Sequence, residues 1–243
     1  RFLPVLAKHI SSDKNIIDIG ANIGDTAVAM IQHCDNPIIC IEPSDVFFRY
    51  LEKNTQIFNV NHPGRITNLK YLVGTGLLTG ELNQSKSSTA SLKIEAGSKT
   101  NTHNRLDDII KDHSNIILLK VDTDGFDFDV IKSAEKVLEN SEPILFWENE
   151  ITEYFQQEGF NNLYSLLTGK GYKYIYIFDN FGNLVTEEKD FQTLKNINNY
   201  LYSMLKHNCT RTFYYTDILA STEKYSSIVK NAIEEYKKNW INQ

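Results

Sequence analysis

Short apolar runs alternate along this chain with longer stretches in which apolar positions recur every three or four residues, and that alternation predicts strands and helices taking turns. The runs at 16–19, 38–41, 66–73, 116–121 and 143–147 read as strands. The stretches at 25–33, 45–54, 128–139 and 151–167 read as helices, with shorter ones at 2–9 and 106–111. Further on, 172–178 reads as a strand turning at Asn180-Phe181-Gly182-Asn183, followed by a helix at 194–205, a last strand at 212–215 and a terminal helix at 226–240. The segment 74–102 breaks the pattern: it is rich in Gly, Ser, Thr and Asn and is expected to be either disordered or a functional lid or binding loop, with a short hairpin near 90–94. No internal repeat and no linker interrupt the chain, so the expectation is one domain over 1–243, with 170–243 supplying a C-terminal sheet hairpin and terminal helix. The sheet should be mostly parallel, with helices on both faces and a final hairpin of antiparallel character.

The most informative junction is the first. The strand run Ile16-Ile17-Asp18-Ile19 enters a turn, Gly20-Ala21-Asn22-Ile23-Gly24, and a helix follows at once. A strand, a glycine turn and a helix start make a cradle for a nucleotide-like ligand, because glycine lets the backbone approach the ligand and the helix start offers unpaired N–H groups. The next strand ends on Glu42, about 20 residues further on, where a carboxylate can hold ribose hydroxyls. A dinucleotide fingerprint wants G-x-G-x-x-G, yet Asn22 stands where the second glycine would make room for a pyrophosphate. Asp18 would repel a phosphate and attract a cation. S-adenosylmethionine carries an ammonium, a sulfonium and ribose hydroxyls but no phosphate, and it suits Asp18, the glycine turn and Glu42. Taken alone, the turn also reads as a generic strand–turn–helix corner.

A second junction gathers acids. The apolar strand 116–121 ends in Asp122-Thr123-Asp124-Gly125-Phe126-Asp127-Phe128-Asp129, and the strand 143–147 ends on Glu148. Ligands of open α/β sheets bind beyond the carboxyl ends of the strands, so Asp122, Asp124 and Glu148 belong on the rim that carries Gly20 and Glu42. Clustered carboxylates raise one another's proton affinity, so one can act as a general base. They could instead hold Mg²⁺, which takes oxygen ligands. An EF-hand is excluded, since its glycine belongs at loop position 6 and an acid at position 12, and Ser133 stands at the latter. Asp127 and Asp129 read as helix-start acids favoured by the helix dipole. Lys120, two residues before Asp122, reads as a salt-bridge partner, and His103 as a solvated loop histidine or a base.

Four motifs in order resemble the FkbM-type methyltransferases: Asp18-Ile19-Gly20-Ala21-Asn22-Ile23-Gly24, Ile41-Glu42-Pro43-Ser44, Arg105-Leu106-Asp107-Asp108-Ile109-Ile110 and Leu119-Lys120-Val121-Asp122-Thr123-Asp124-Gly125-Phe126-Asp127. The resemblance covers roughly residues 12–150. It implies a single Rossmann-like class I methyltransferase fold with a mostly parallel, seven-stranded sheet. It also implies S-adenosylmethionine as cofactor and O-methylation of a hydroxyl on a sugar, glycan or natural product, often in polysaccharide biosynthesis. By resemblance Asp18, Gly20, Asn22, Gly24, Glu42 and Ser44 bind the cofactor. The family usually has Glu where this chain has Asp124 and Asp127, each one methylene shorter. The catalytic expectation is that Asp122 or Asp124 orients or deprotonates the acceptor hydroxyl while Glu148 fixes a neighbouring hydroxyl. The resemblance leaves the part of a divalent metal such as Mg²⁺ undecided.

Composition narrows the partners. The chain has 243 residues, 41% hydrophobic and 23% charged, with a net charge of −6. No Lys/Arg-rich run appears, which argues against nucleic acid as main partner. No apolar run is long enough to span a bilayer, and the opening Arg1-Phe2-Leu3-Pro4-Val5-Leu6-Ala7 is too soon interrupted by Lys8 and His9 to be a signal peptide. Because the first residue is not Met, the chain reads as a domain excised or trimmed from something longer. Cys34, Cys40 and Cys209 are too few and too scattered for a disulfide scaffold, so a reducing cytoplasm is expected. Tyr172, Tyr174, Tyr176 and Phe178 alternate along one strand, which suits either a sugar-binding face or ordinary sheet packing. Two rival classes stand beside methyl transfer: a nicotinamide-dependent oxidoreductase and a catalytically inactive methyltransferase-like binding module.

Overall fold

The structure is a computed structural model that describes residues 2–76, 81–84, 90–93, 103–210 and 214–241. Strands β1 (Asn15–Ile19), β2 (Ile38–Ile41), β3 (Ile66–Leu69), β4 (Glu81–Gln84), β5 (Ala90–Lys93), β6 (Ile116–Val121), β7 (Ile144–Glu150), β8 (Tyr174–Asp179), β9 (Leu184–Glu188) and β10 (Tyr215–Ser221) alternate with helices α1 (Phe2–Ile10), α2 (Asp25–Ile31), α3 (Asp45–Asn61), α4 (Leu106–Ile109), α5 (Asp127–Lys132), α6 (Glu135–Asn140), α7 (Tyr154–Gly169), α8 (Gln192–Lys206) and α9 (Glu223–Ile241). The main sheet runs β3-β2-β1-β6-β7-β10-β8-β9, while β4 and β5 pair separately. The expected seven strands are therefore eight. Strands β3, β2, β1, β6 and β7 are parallel, whereas β10, β8 and β9 pair antiparallel. The extra edge strand β9 completes the hairpin at Asn180–Asn183, where Asp179 N–H donates to Asn183 O at 2.9 Å.

Both faces of this sheet are covered, which is why its central strands are apolar almost throughout. Alternate side chains feed two cores. Ile17 and Ile19 of β1, Leu119 and Val121 of β6, and Leu145 and Trp147 of β7 pack with α5, α6, α7 and α8. Ile16, Leu118, Ile144 and Leu219 point the other way, against α1, α2 and α9. The aromatic strand face belongs to this second core: the Phe2 ring lies tilted 5.1 Å from Phe178 and edge-on 5.3 Å from Tyr236. Tyr172 packs in the first core, its hydroxyl donating to Pro143 O at 2.8 Å. These rings are sheet packing, and so is the fully buried Trp147.

The helix expected over 128–139 is broken in two. Ser133 Oγ donates back to Val130 O and accepts from Leu106 N–H, ending α5. The buried Asp107 carboxylate then accepts the Lys136 and Val137 N–H groups and starts α6. The last strand lies at β10 rather than 212–215, and residues 212–213 are outside the described part. A hairpin is present at β4–β5, next to the expected 90–94, and residue 94 and most of the expected lid 74–102 also lie outside the described part. Cys34 and Cys40 are buried thiols and Cys209 is exposed, none of them in a disulfide. Among the described residues no helix is long and apolar enough to cross a membrane.

Candidate active site

At the carboxyl ends of β1, β2 and β6 lies a cavity of about 240 Å³, lined among others by Gly20, Asn22, Glu42, Tyr71, His103, Asp122 and Asp124. Its floor is the β1 turn. Gly20 has φ +72°, and a Cβ there would lie 1.8 Å from the Asp122 carbonyl oxygen, so only glycine lets the turn after β1 pass this close to the end of β6. Asn22 also adopts a left-handed conformation, with φ 49°. Its N–H donates to Glu42 Oε2 at 3.0 Å, and Ser44 N–H donates to Glu42 Oε1 at 2.8 Å. Two backbone donors thus aim one buried carboxylate at the cavity wall. Burial raises the Glu42 pKa above its usual value, and the two N–H groups oppose that rise.

Six cofactor-binding positions were expected, and the structure sorts them into two ranks. Gly20, Asn22 and Glu42 line the cavity. Asp18, Gly24 and Ser44 stand behind them. Asp18 is fully buried and meets Lys120 Nζ at 2.9 Å. Gly24 has φ +87° and packs beside Leu51. Ser44 Oγ accepts from Phe47 N–H and caps α3, while its own N–H steadies Glu42. Lys120 also reaches Asp122 Oδ2 at 3.3 Å, as its salt-bridge reading expected. Burial works against the charge of Lys120, but the two carboxylates outweigh it and raise its pKa.

The acid cluster is likewise divided. Asp122 and Asp124 line the cavity, and Glu148 sits outside the lining. Asp124 holds a left-handed backbone, φ 50°, next to Gly125 at φ 89°. Burial, with Asp122 and Glu150 nearby, pushes its pKa up to about 6. Glu148 is pushed up to about 10 by burial and then by Asp122 and Asp127. Asp127 is spent on structure: its carboxylate accepts from the Thr123 N–H, the Thr123 hydroxyl and the Glu148 N–H. Asp129 is spent similarly, accepting from Thr75 N–H at 2.8 Å. Among the described residues no three or more His, Cys, Asp or Glu side chains are grouped to hold a metal ion.

Several wall residues were not singled out in the sequence: Phe47, Tyr71, Leu72, Val73 and Phe126. Tyr71 to Val73 follow β3, within what reads from sequence as the strand's end, and only the parallel bridge Val73↔Asn104 turns them toward the site. His103, read as a solvated loop histidine or a base, is not in open solvent but half-buried in this wall.

Residues 18–174 match the profile of the Methyltransferase FkbM domain. The chain belongs to the FkbM methyltransferase family. The FkbM match begins at Asp18 and contains every residue that lines the cavity. Among solved structures, the methyltransferase FkbM from Methylobacillus flagellatus KT is 18% identical with a TM-score of 0.44, over 66% of this chain and 37% of that one. The chain therefore spans little more than a third of that protein. An O-methyltransferase from Bacillus cereus, solved in complex with SAH, is 13% identical with a TM-score of 0.52, over 91% of this chain and 79% of that one. At that identity the likeness concerns the fold alone: this FkbM protein shares the α/β architecture of class I methyltransferases, with eight mixed strands. No functionally curated protein matches the chain.

Proposed function

We propose that this FkbM-family protein is an S-adenosylmethionine-dependent O-methyltransferase acting on a hydroxyl of a sugar or glycan, in polysaccharide or glycoside biosynthesis. The observation that carries the reading is the Glu42 carboxylate, 4% exposed and held by the Asn22 and Ser44 N–H groups on the cavity wall. Each oxygen spends one lone pair on the backbone and keeps another for a ribose hydroxyl. The residues present fit this cofactor. Glu42, Asp122 and Asp124 oppose a phosphate and favour an ammonium and a sulfonium. That same balance disfavours a nicotinamide dinucleotide.

When bound, the cofactor supplies a methyl group on an electron-poor sulfur. The chain's own residues must place an acceptor hydroxyl in line with it and remove the proton. Asp124, with a pKa near 6, is mostly ionised at neutral pH yet is a stronger base than an ordinary aspartate, so it takes the proton at a carboxylate oxygen. Asp122, tied to Lys120, orients the hydroxyl. Glu148, protonated at neutral pH, offers a donor to a neighbouring hydroxyl at the rim. Positioning supplies much of the rate and the base adds roughly 10²- to 10⁴-fold. The test is incubation with S-adenosylmethionine and a panel of sugar acceptors, with and without Mg²⁺, read by mass spectrometry. A gain of one CH₂ on an acceptor hydroxyl is expected. Cofactor binding without any methylated acceptor points instead to a binding module.

A further inference from the structure

We infer that His103 reads the edge of the cofactor's adenine base, an inference that rests on the S-adenosylmethionine reading above. His103 lines the cavity, and its Nε2 is buried without a hydrogen-bond partner among the described residues. The ring is held in place by its surroundings. Asn104 N–H donates to Leu72 O at 2.8 Å and Gly74 N–H donates to Asn104 O at 3.1 Å, pinning the histidine's segment to the strand end after β3. Gly74 lets the ring and the Asp129 carboxylate close on that backbone. A Cβ there would lie 2.6 Å from Asp129 Oδ2 and 3.5 Å from His103 Nδ1. A buried polar atom with no partner is costly, so its persistence beside a cavity points to a ligand atom that completes it.

The sheet order says which part of the ligand arrives there. Across the cavity the strands run β3, β2, β1, β6. Glu42 ends β2, and Asp122 and Asp124 follow β6. A ligand gripped at its ribose by Glu42, with its charged sulfur end toward the β6 acids, sends its base the other way, toward β3. The wall on that side is Tyr71, Leu72 and Val73, apolar surface for a flat ring. Burial lowers the His103 pKa against the pull of Asp129, so the imidazole is neutral at neutral pH. A neutral imidazole either accepts from the 6-amino group or donates to a ring nitrogen, depending on its tautomer.

Calorimetric titration with S-adenosylhomocysteine, on the wild-type protein and on His103→Ala, is paired with ¹⁵N-imidazole spectra in which the His103 signals are identified by their loss in the variant. The expected result is binding about tenfold weaker in His103→Ala, together with movement of the His103 Nε2 resonance when the wild type is saturated. Wild-type binding with an unmoved Nε2 resonance, or with unchanged affinity in the variant, overturns the inference and leaves the cofactor reading standing. No binding to the wild type overturns both.

Discussion

Lys120 Nζ lies 2.9 Å from Asp18 Oδ1 between neighbouring strands, with both side chains buried. The pair sits under the cavity, and the same ammonium holds Asp122 at the rim. Asp18 therefore reaches a ligand only through Lys120 and Asp122. Lys120→Met leaves Asp18 as a buried carboxylate without its cation, a loss of about 3–5 kcal/mol. Chemical denaturation should show that loss, and Asp18→Asn combined with Lys120→Met should recover much of it. Equal stability of the single variant and the wild type would mean that the pair is not formed.

The crowded acids on the rim predict how stability changes with pH. Asp217, opposite Glu148 on β10, is pushed from 3.8 up to about 7 by burial and by Asp122. A carboxyl with a raised folded-state pKa binds more protons folded than unfolded. Its stabilising contribution is present in full below pH 3.8 and is lost as the pH rises to about 7. The Asp217→Asn variant should thus lose less melting temperature between pH 5 and 7 than the wild type does, by differential scanning calorimetry. Parallel curves for the two proteins would contradict the assignment.

Gly20 and Gly64 separate conformational strain from a close backbone approach. Their φ values are +72° and +78°, but a Cβ at Gly64 meets nothing within 4 Å, whereas at Gly20 it would lie 1.8 Å from the Asp122 oxygen. Gly64→Ala should cost only the left-handed strain, about 1–2 kcal/mol. Gly20→Ala should cost more and should also abolish cofactor binding, since β1 and β6 must part. Melting temperatures and ligand titration check both, and a Gly20→Ala protein that binds normally would contradict the described turn.

Asp124→Asn removes the group assigned as base. Turnover should fall roughly 10²- to 10⁴-fold, while S-adenosylhomocysteine affinity changes far less. In the wild type, turnover should rise with pH through about 6, the pKa of Asp124. A flat pH profile in that range, or unchanged turnover in the variant, would reassign the base.

The parallel half of the sheet was legible because burial on both faces writes strands as nearly continuous apolar runs, as in 16–19 and 116–121, each interrupted by one charged residue, Asp18 and Lys120. Strand β9 was not, because its Leu-Val-Thr-Glu-Glu sequence is half-exposed and acidic and reads as loop. The short apolar run of Ile218, Leu219 and Ala220 cannot be told from a helix segment by period alone, and the aromatic run Phe213-Tyr214-Tyr215 before it places the expected strand too early. At the site, spacing placed Glu42, Asp122 and Asp124 on one rim. What spacing could not reveal was division of labour among neighbours. Asp127 reads as a helix-start acid, yet its carboxylate accepts the Glu148 N–H of β7, and Asp107, inside a motif, accepts the Val137 N–H of α6, partners that only the folded chain brings together. The place of His103 in the cavity wall was hidden for the same reason, since it depends on the bridge from Asn104 to Val73.

The most direct test of the central claim is calorimetric titration of the wild type and Glu42→Ala with S-adenosylhomocysteine, with NAD as the control. Saturable binding of S-adenosylhomocysteine alone, lost or greatly weakened in Glu42→Ala, is the predicted result. Binding that survives Glu42→Ala unchanged, or binding of NAD in its place, would contradict the account.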